Sequence, residues 1–264
     1  MKYEWAKMTW QEISAARERQ PVVLVPVGTV ETHGPHTFVG LEHVLAERLA
    51  GDAARVTESL VLPGIPFGYS ELFRGFPGTV TWPADVLESA YEHTVRSVLR
   101  SGFDHVLLVA NHIPNQPMVE HVAFRIRNDA GILIAWMNPQ TMAASFLAET
   151  FHDSARVRGH GAEPSISLAS HLDPDAVSLV GAQRLPAPME FRGLPVRGNT
   201  VVVGGQPVGM ALRMDDVAAG PGGWGDPSQA SVEAGRSMYE RLLAYLVDLI
   251  RTFHAFDTHV PRDT

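Results

Sequence analysis

Cysteine is absent from the 264 residues of this chain. That absence removes disulfides, thiolate zinc sites and cysteine nucleophiles together, so any metal must sit among His, Asp and Glu. A basic stripe or lysine-rich run is also missing. The net charge of -8 argues against nucleic acid as a partner. No apolar run reaches the roughly 18 residues of a membrane span. Met1-Lys2-Tyr3-Glu4-Trp5 carries no apolar signal core, so no membrane contact and a cytoplasmic location are expected. No G-x-G-x-x-G or Walker sequence follows any apolar run, which leaves nucleotide binding unsupported. Internal repeats and linker-like stretches are lacking too. What remains is 45% hydrophobic and 19% charged, which suits one compact α/β domain over residues 1–264 with a full core.

The stretch from Val22 to Ala50 carries the densest chemistry. Val22 to Val27 is short, apolar and β-branched, as in a strand buried on both faces. Gly28 breaks the run, Glu31, His33, His36 and Glu42 follow, and Val44 to Ala50 reads as a helix. Open α/β sheets place their ligands in this strand–loop–helix layout, beyond the carboxyl ends of the strands. Glu31 and His33 are two apart, so in extended backbone both side chains leave the same side. A carboxylate and an imidazole converging there make half of a Zn²⁺ or Mn²⁺ site, and Glu42 can return a second carboxylate to it. The same residues suit a solvated polar loop whose histidines cap helix ends or face water.

Other elements follow from local pattern. Thr9 and Glu12 form a capping box for a short helix at Trp10. Val61 to Pro66 reads as a strand ending at its prolines. Phe67 to Thr79 is a Gly/Pro-rich, aromatic loop. Pro83 to Arg100 has helical spacing and ends before Gly102. Val106 to Ala110 is a second buried strand, followed by His112 and Asn115. Val119 to Asn128 is helical, Ile132 to Trp136 a strand, and Gln140 to Phe151 a helix. Another helix opens around Gly159 to Ser167. Leu185 to Met214 has the look of hairpin strands, and Val232 to Phe253 is a long amphipathic helix.

The string Gly28-Thr29-Val30-Glu31-Thr32-His33-Gly34-Pro35-His36 resembles the signature of the creatininase (creatinine amidohydrolase) family, roughly G-S-x-E-Q-H-G-P-H-L-P-x-x-T-D. Four further stretches are similar to that family's motifs. Phe76-Pro77-Gly78-Thr79 matches a loop near its site. Asn111-His112-Ile113-Pro114-Asn115 stands where it has N-G-H-G-G-N or a variant. His160-Gly161-Ala162-Glu163-Pro164-Ser165-Ile166-Ser167 resembles H-A-G-E-x-E-T-S. Gly222-Gly223-Trp224-Gly225-Asp226-Pro227 resembles its late G-x-x-G-D-P loop, so the likeness runs from about Thr9 to Leu249.

The resemblance implies a three-layer α/β/α fold with a mostly parallel central sheet. It implies two divalent metal ions (Zn, Mn or Fe) held by Glu31, His33, Glu42, His112 and Glu163, with His160 as the proton-transfer residue. His36, Tyr69, Phe76, Asn115 and Trp224 are the expected substrate-binding positions. Three departures stand out. Glu42 replaces the family's bridging Asp, Pro114 replaces a Glu that is a ligand in some members, and Ser165 replaces the second Glu of the last motif. Because proline cannot ligate, Glu163 takes the place of the fifth ligand; its alternative role is a carboxylate favoured by a helix dipole. The implied activity is hydrolysis of a small cyclic amide by metal-activated water. Ring opening of a cyclic ketone of the dehydro-inosose type, in inositol or sugar catabolism, is the alternative. The altered motifs also admit a ligand-binding member without catalysis. Family members are commonly hexamers, so a homo-oligomer acting on a small molecule is expected.

Overall fold

The structure, a computed structural model, describes residues 2–180, 182, 184, 189–197, 200–217 and 222–261, with Met189 and Arg197 through their backbones alone. The expected hairpin segment therefore has residues 185–188 and 198–199 outside the described ones.

In chain order the main elements are α1 (Trp10–Ala16), β1 (Val23–Val27), α2 (Leu41–Thr57), β2 (Leu60–Val61), α3 (Ala84–Arg100), β3 (Val106–Ala110) and α4 (Gln116–Ala130). Then come β4 (Ala135–Met137), α5 (Pro139–Ser145), α6 (Leu147–Thr150), α7 (Ser154–Val157) and α8 (Ser165–Leu172). Four short strands, β5 (Met189–Phe191), β6 (Leu194–Arg197), β7 (Thr200–Val203) and β8 (Gln206–Gly209), precede the closing helix α9 (Val232–His254).

The first four strands form one parallel sheet in the order β2-β1-β3-β4, with Val23 opposite Val106. β1 and β3 are buried at every position, as their unbroken apolar runs predict. Successive residues feed opposite layers. Leu24, Leu107 and Val109 pack with Leu45 and Leu49 of α2 and with Met238, Leu242 and Leu246 of α9. Val23, Val25, Val27 and Leu108 pack with Leu87, Tyr91 and Val95 of α3 and with Val119 and Val122 of α4. Period-two strands between period-3.6 helices give the three-layer α/β/α fold.

Local chemistry fixes the element ends. Glu12 N–H donates to Thr9 Oγ1 at 3.3 Å and Thr9 N–H to Glu12 Oε2 at 2.7 Å, the expected capping box of α1. β2 is shorter than the apolar run suggests, since Pro63 and Pro66 offer no N–H to a ladder. The helix expected from Gln140 to Phe151 is two pieces, because Phe146 N–H bonds Ala143 O three residues back instead of four. α9 lies close on α8: a Cβ at Gly235 would collide with the Ser167 carbonyl oxygen.

The four late strands form an antiparallel sheet in the order β5-β6-β7-β8. Its buried Val196 and Val201 join Leu212, Met214, Val217 and Phe73 in a separate apolar cluster. Through Phe73 that cluster backs the region described next. No helix among the described residues is long and apolar enough to cross a membrane.

Candidate metal centre

The carboxyl ends of β1, β3 and β4 face one cavity of about 380 Å³. The loop after β1 brings Glu31 and His33, the residue following β3 by two is His112, and Gln140 opens α5 just past β4. Glu42, in the first turn of α2, reaches in from the next helix. The loop before α8 supplies His160 and Glu163. Chain segments far apart in sequence thus meet at one place, as open α/β sheets arrange their sites.

Glu42 lies at the centre. Its Oε2 accepts from His112 Nδ1–H at 2.5 Å, and its Oε1 is 3.7 Å from His33 Nε2. His112 Nε2–H donates to the Tyr69 carbonyl at 3.0 Å and lies 3.7 Å from Glu31 Oε2. His33 Nδ1–H donates to the Glu31 carbonyl at 3.2 Å, which turns its Nε2 toward Glu42. One donor atom each from Glu31, Glu42 and His112 lies within 4.8 Å of the others, and so do atoms from Glu31, His33 and His160. Glu31 thus belongs to both groups.

Burial and charge set the ionisation of these groups. Burial alone would lower His112, but the carboxylates of Glu31 and Glu42 outweigh it and raise its pKa to about 9. Against the same burial, His112 and His33 hold the Glu42 carboxylate well below its usual range. Burial pushes Glu31 up, with His112 opposing. The Glu163 carboxyl, pushed up by burial against the hydroxyl and backbone of Ser167, rises to about 7.

His160 is held differently. Its Nε2–H donates to the Thr32 carbonyl at 2.6 Å, so Nδ1 carries the lone pair, 3.8 Å from Glu31 Oε1. Its ring stacks on Phe73 at 3.9 Å and on His33 at 4.3 Å, with Trp224 at 5.4 Å. Burial, helped by the charge of His33, lowers its pKa well below the ordinary imidazole value, so the ring is neutral near pH 7. A Cβ at neighbouring Gly159 would strike the Trp224 carbonyl, which explains why only glycine fits beside His160.

Of the expected substrate-binding residues, Trp224 lines this cavity. Asn115 is a backbone clamp: its Oδ1 accepts from Tyr69 N–H at 2.9 Å and its Nδ2–H donates to Gly28 O at 3.0 Å. His36 Nε2–H is likewise committed, to the Gly161 carbonyl at 2.7 Å. Phe76 packs in the cluster under the small sheet. Tyr69 turns its ring to a neighbouring groove with Phe124 and Arg213, its carbonyl alone meeting His112. Pro114 lines the cavity without a donor to give it.

Three contributors carry no signal in the sequence. Gln140 Nε2–H donates to Glu42 Oε1 and to Ser165 Oγ, both at 3.1 Å. Phe73 covers the His160 ring, and Arg158 reaches the cavity wall.

The donor set fits divalent metal. It consists of carboxylate oxygens and imidazole nitrogens, suited to Zn²⁺, Mn²⁺ or Fe²⁺. Glu163 Oε2, buried and without a hydrogen-bond partner among the described residues, adds an unsatisfied acceptor on the same cavity.

Known proteins give the same frame. The family model described as creatininase, creatinine amidohydrolase, matches residues 6–250. Creatinine amidohydrolase of Pseudomonas putida is 26% identical over 119 residues, 43% of this chain and 46% of that protein. Mycofactocin precursor peptide peptidase of Mycolicibacterium smegmatis is 35% identical over 96 residues, 31% of this chain and 39% of that protein. 3-Dehydro-scyllo-inosose hydrolase of Thermotoga maritima is 27% identical over 106 residues, 40% of this chain and 34% of that protein. The matched stretches thus span less than half the length of each of these relatives. A solved creatininase in an Mn form shares the fold with a TM-score of 0.78 at 22% identity, covering 97% of this chain and 100% of its own.

Proposed function

The chain belongs to the creatininase (creatinine amidohydrolase) family, and from that premise we propose that it is a metal-dependent hydrolase that opens a small cyclic amide at its C–N bond. The observation that carries this reading is the buried convergence of Glu31, Glu42 and His112, with His33 on the other Glu42 oxygen. Glu31, Glu42 and His112 would hold one divalent ion, and His33 and Glu163 the other, with Glu42 shared. Ions held there would supply hydroxide at neutral pH and polarise the carbonyl under attack.

The chain's own residues do the rest. His160 is the proton carrier. With Nε2–H pinned to Thr32, its Nδ1 accepts a proton on the side of Glu31 and returns it to the leaving nitrogen, the general acid–base role of a neutral imidazole. Phe73 and Trp224 flank that ring and keep bulk water from it. Gln140 fixes the Oε1 edge of Glu42, which is longer than the family's Asp.

The likeness to the Thermotoga maritima inosose hydrolase favours a second reading, ring opening of a sugar-like cyclic ketone. In that reaction carbon is expelled in place of nitrogen, and His160 protonates the enolate carbon. A panel of cyclic amides and inosose-type ketones, run with and without a chelator, tests both. Amide opening that stops on metal removal supports the first reading, and turnover of ketones alone supports the second. Full activity after complete metal removal contradicts both.

A further inference from the structure

The candidate cavity has two kinds of lining, the carboxylates and imidazoles and the apolar side chains of Leu72, Phe73, Ile113, Pro114, Ala144 and Trp224. Arg158 is the only lysine or arginine among the described residues that line it. Its neighbour at two residues, Arg156, is spent on Asp226 at 2.8 Å. The Arg158 guanidinium, by contrast, forms no ion pair or hydrogen bond among the described residues.

The base of that side chain is fixed. Arg158 N–H donates to Ser154 O at 3.2 Å, and Arg158 pairs with Glu163 in a parallel bridge. On the following residue, Gly159 N–H donates to Glu163 O at 3.1 Å. A Cβ at Gly225 would meet the Arg158 carbonyl at 2.8 Å, so the Trp224 loop presses on the same segment. An arm with this anchorage leaves the backbone at a set place, two residues before His160.

A guanidinium offers five N–H donors in a planar fork that matches a carboxylate. Two divalent ions would offset the charge of the three glutamates, and Arg158 is then the one lysine or arginine among the described lining residues left to meet an anionic group. Arg158 is exposed and its guanidinium is met by water; a neutral or cationic substrate leaves it so, and an anionic one gains a charge-assisted contact from it. We infer that Arg158 is a specificity-determining residue that reads a carboxylate on the substrate, making the preferred substrate an anionic ring compound. The inference rests on the metal-hydrolase reading above.

Hydroxamates test it without knowledge of the natural substrate, because they bind the metal themselves. Calorimetry on the metal-reconstituted full chain compares acetohydroxamate with the monohydroxamates of succinate and glutarate, for the native protein and for Arg158→Gln and Arg158→Lys. At least one carboxylate-bearing probe should bind the native protein about tenfold more tightly than acetohydroxamate, as one charge-assisted contact allows. The preference should vanish in Arg158→Gln and survive in part in Arg158→Lys. Equal binding of all probes to the native protein, or a preference that persists in Arg158→Gln, overturns the inference and leaves the hydrolase reading standing. Failure of every hydroxamate to bind would overturn that reading, and the inference with it.

Discussion

Replacing Gln140 by leucine removes its contact with Glu42 in the proposed centre and its hydrogen bonds with Ser165. Gln140 is buried, and its Nε2 lies 3.1 Å from Glu42 Oε1. A hydrogen bond to a charged group is worth about 1.5–3 kcal/mol. Leucine is close in volume, so the loss is electrostatic and not a cavity. Outer contacts of this kind change metal affinity by about 10–100-fold, which is roughly 1.4–2.8 kcal/mol. The two estimates agree. Competition with a chromophoric chelator should therefore show Gln140→Leu binding Zn²⁺ or Mn²⁺ at least about tenfold more weakly, with a cooperative thermal transition of the metal-free variant to confirm that it folds. Metal affinity equal to that of the native chain, in a folded variant, would refute the claim that Gln140 positions Glu42.

His160→Gln should lower turnover by about 10²–10⁴-fold and leave the metal content intact, since its proposed work is proton transfer. Loss of metal in that variant would make it a ligand beside Glu31 and His33 instead. In chelator-treated protein, His112 and Glu163 weaken the folded state as pH rises, while His160 and His36, both lowered, strengthen it as pH rises toward 6.5. His112, raised from 6.5 to about 9, contributes fully below 6.5 and not above about 9. Glu163, raised from 4.5 to about 7, favours the folded state only while protonated, a loss of about 3 kcal/mol across that interval. Thermal melts of the native chain and Glu163→Gln should differ in slope between pH 5 and 7; parallel curves would contradict the assignment.

The central strands and the first ligand candidates were legible because their signals are local. Val22 to Val27 and Val106 to Ala110 are apolar without interruption, and only a strand covered on both faces satisfies that. Glu31 and His33 sit directly after the first run. The remaining parts come from tertiary contact. Gln140 lies 98 residues from Glu42, and nothing around it distinguishes it from a solvated helix residue. Phe73 belongs to a loop that looks like an ordinary turn, and its role depends on the small sheet beneath it. Asn115 and His36 read as substrate contacts because an amide or imidazole beyond a strand is equally fit for backbone clamping, and the structure uses both that way. The departure at Glu42 gains a physical partner as well. Its longer arm meets Gln140, which shares its amide with Ser165, the residue standing where the family has its second Glu.

The most direct test is the metal content per chain, by inductively coupled plasma mass spectrometry on protein purified without a chelating column. The account predicts about two equivalents in the native chain, falling in Glu42→Ala, since that carboxylate serves both ions. No bound metal, even after reconstitution with Zn²⁺ or Mn²⁺, would contradict it and leave a protein that binds its ligand without this chemistry.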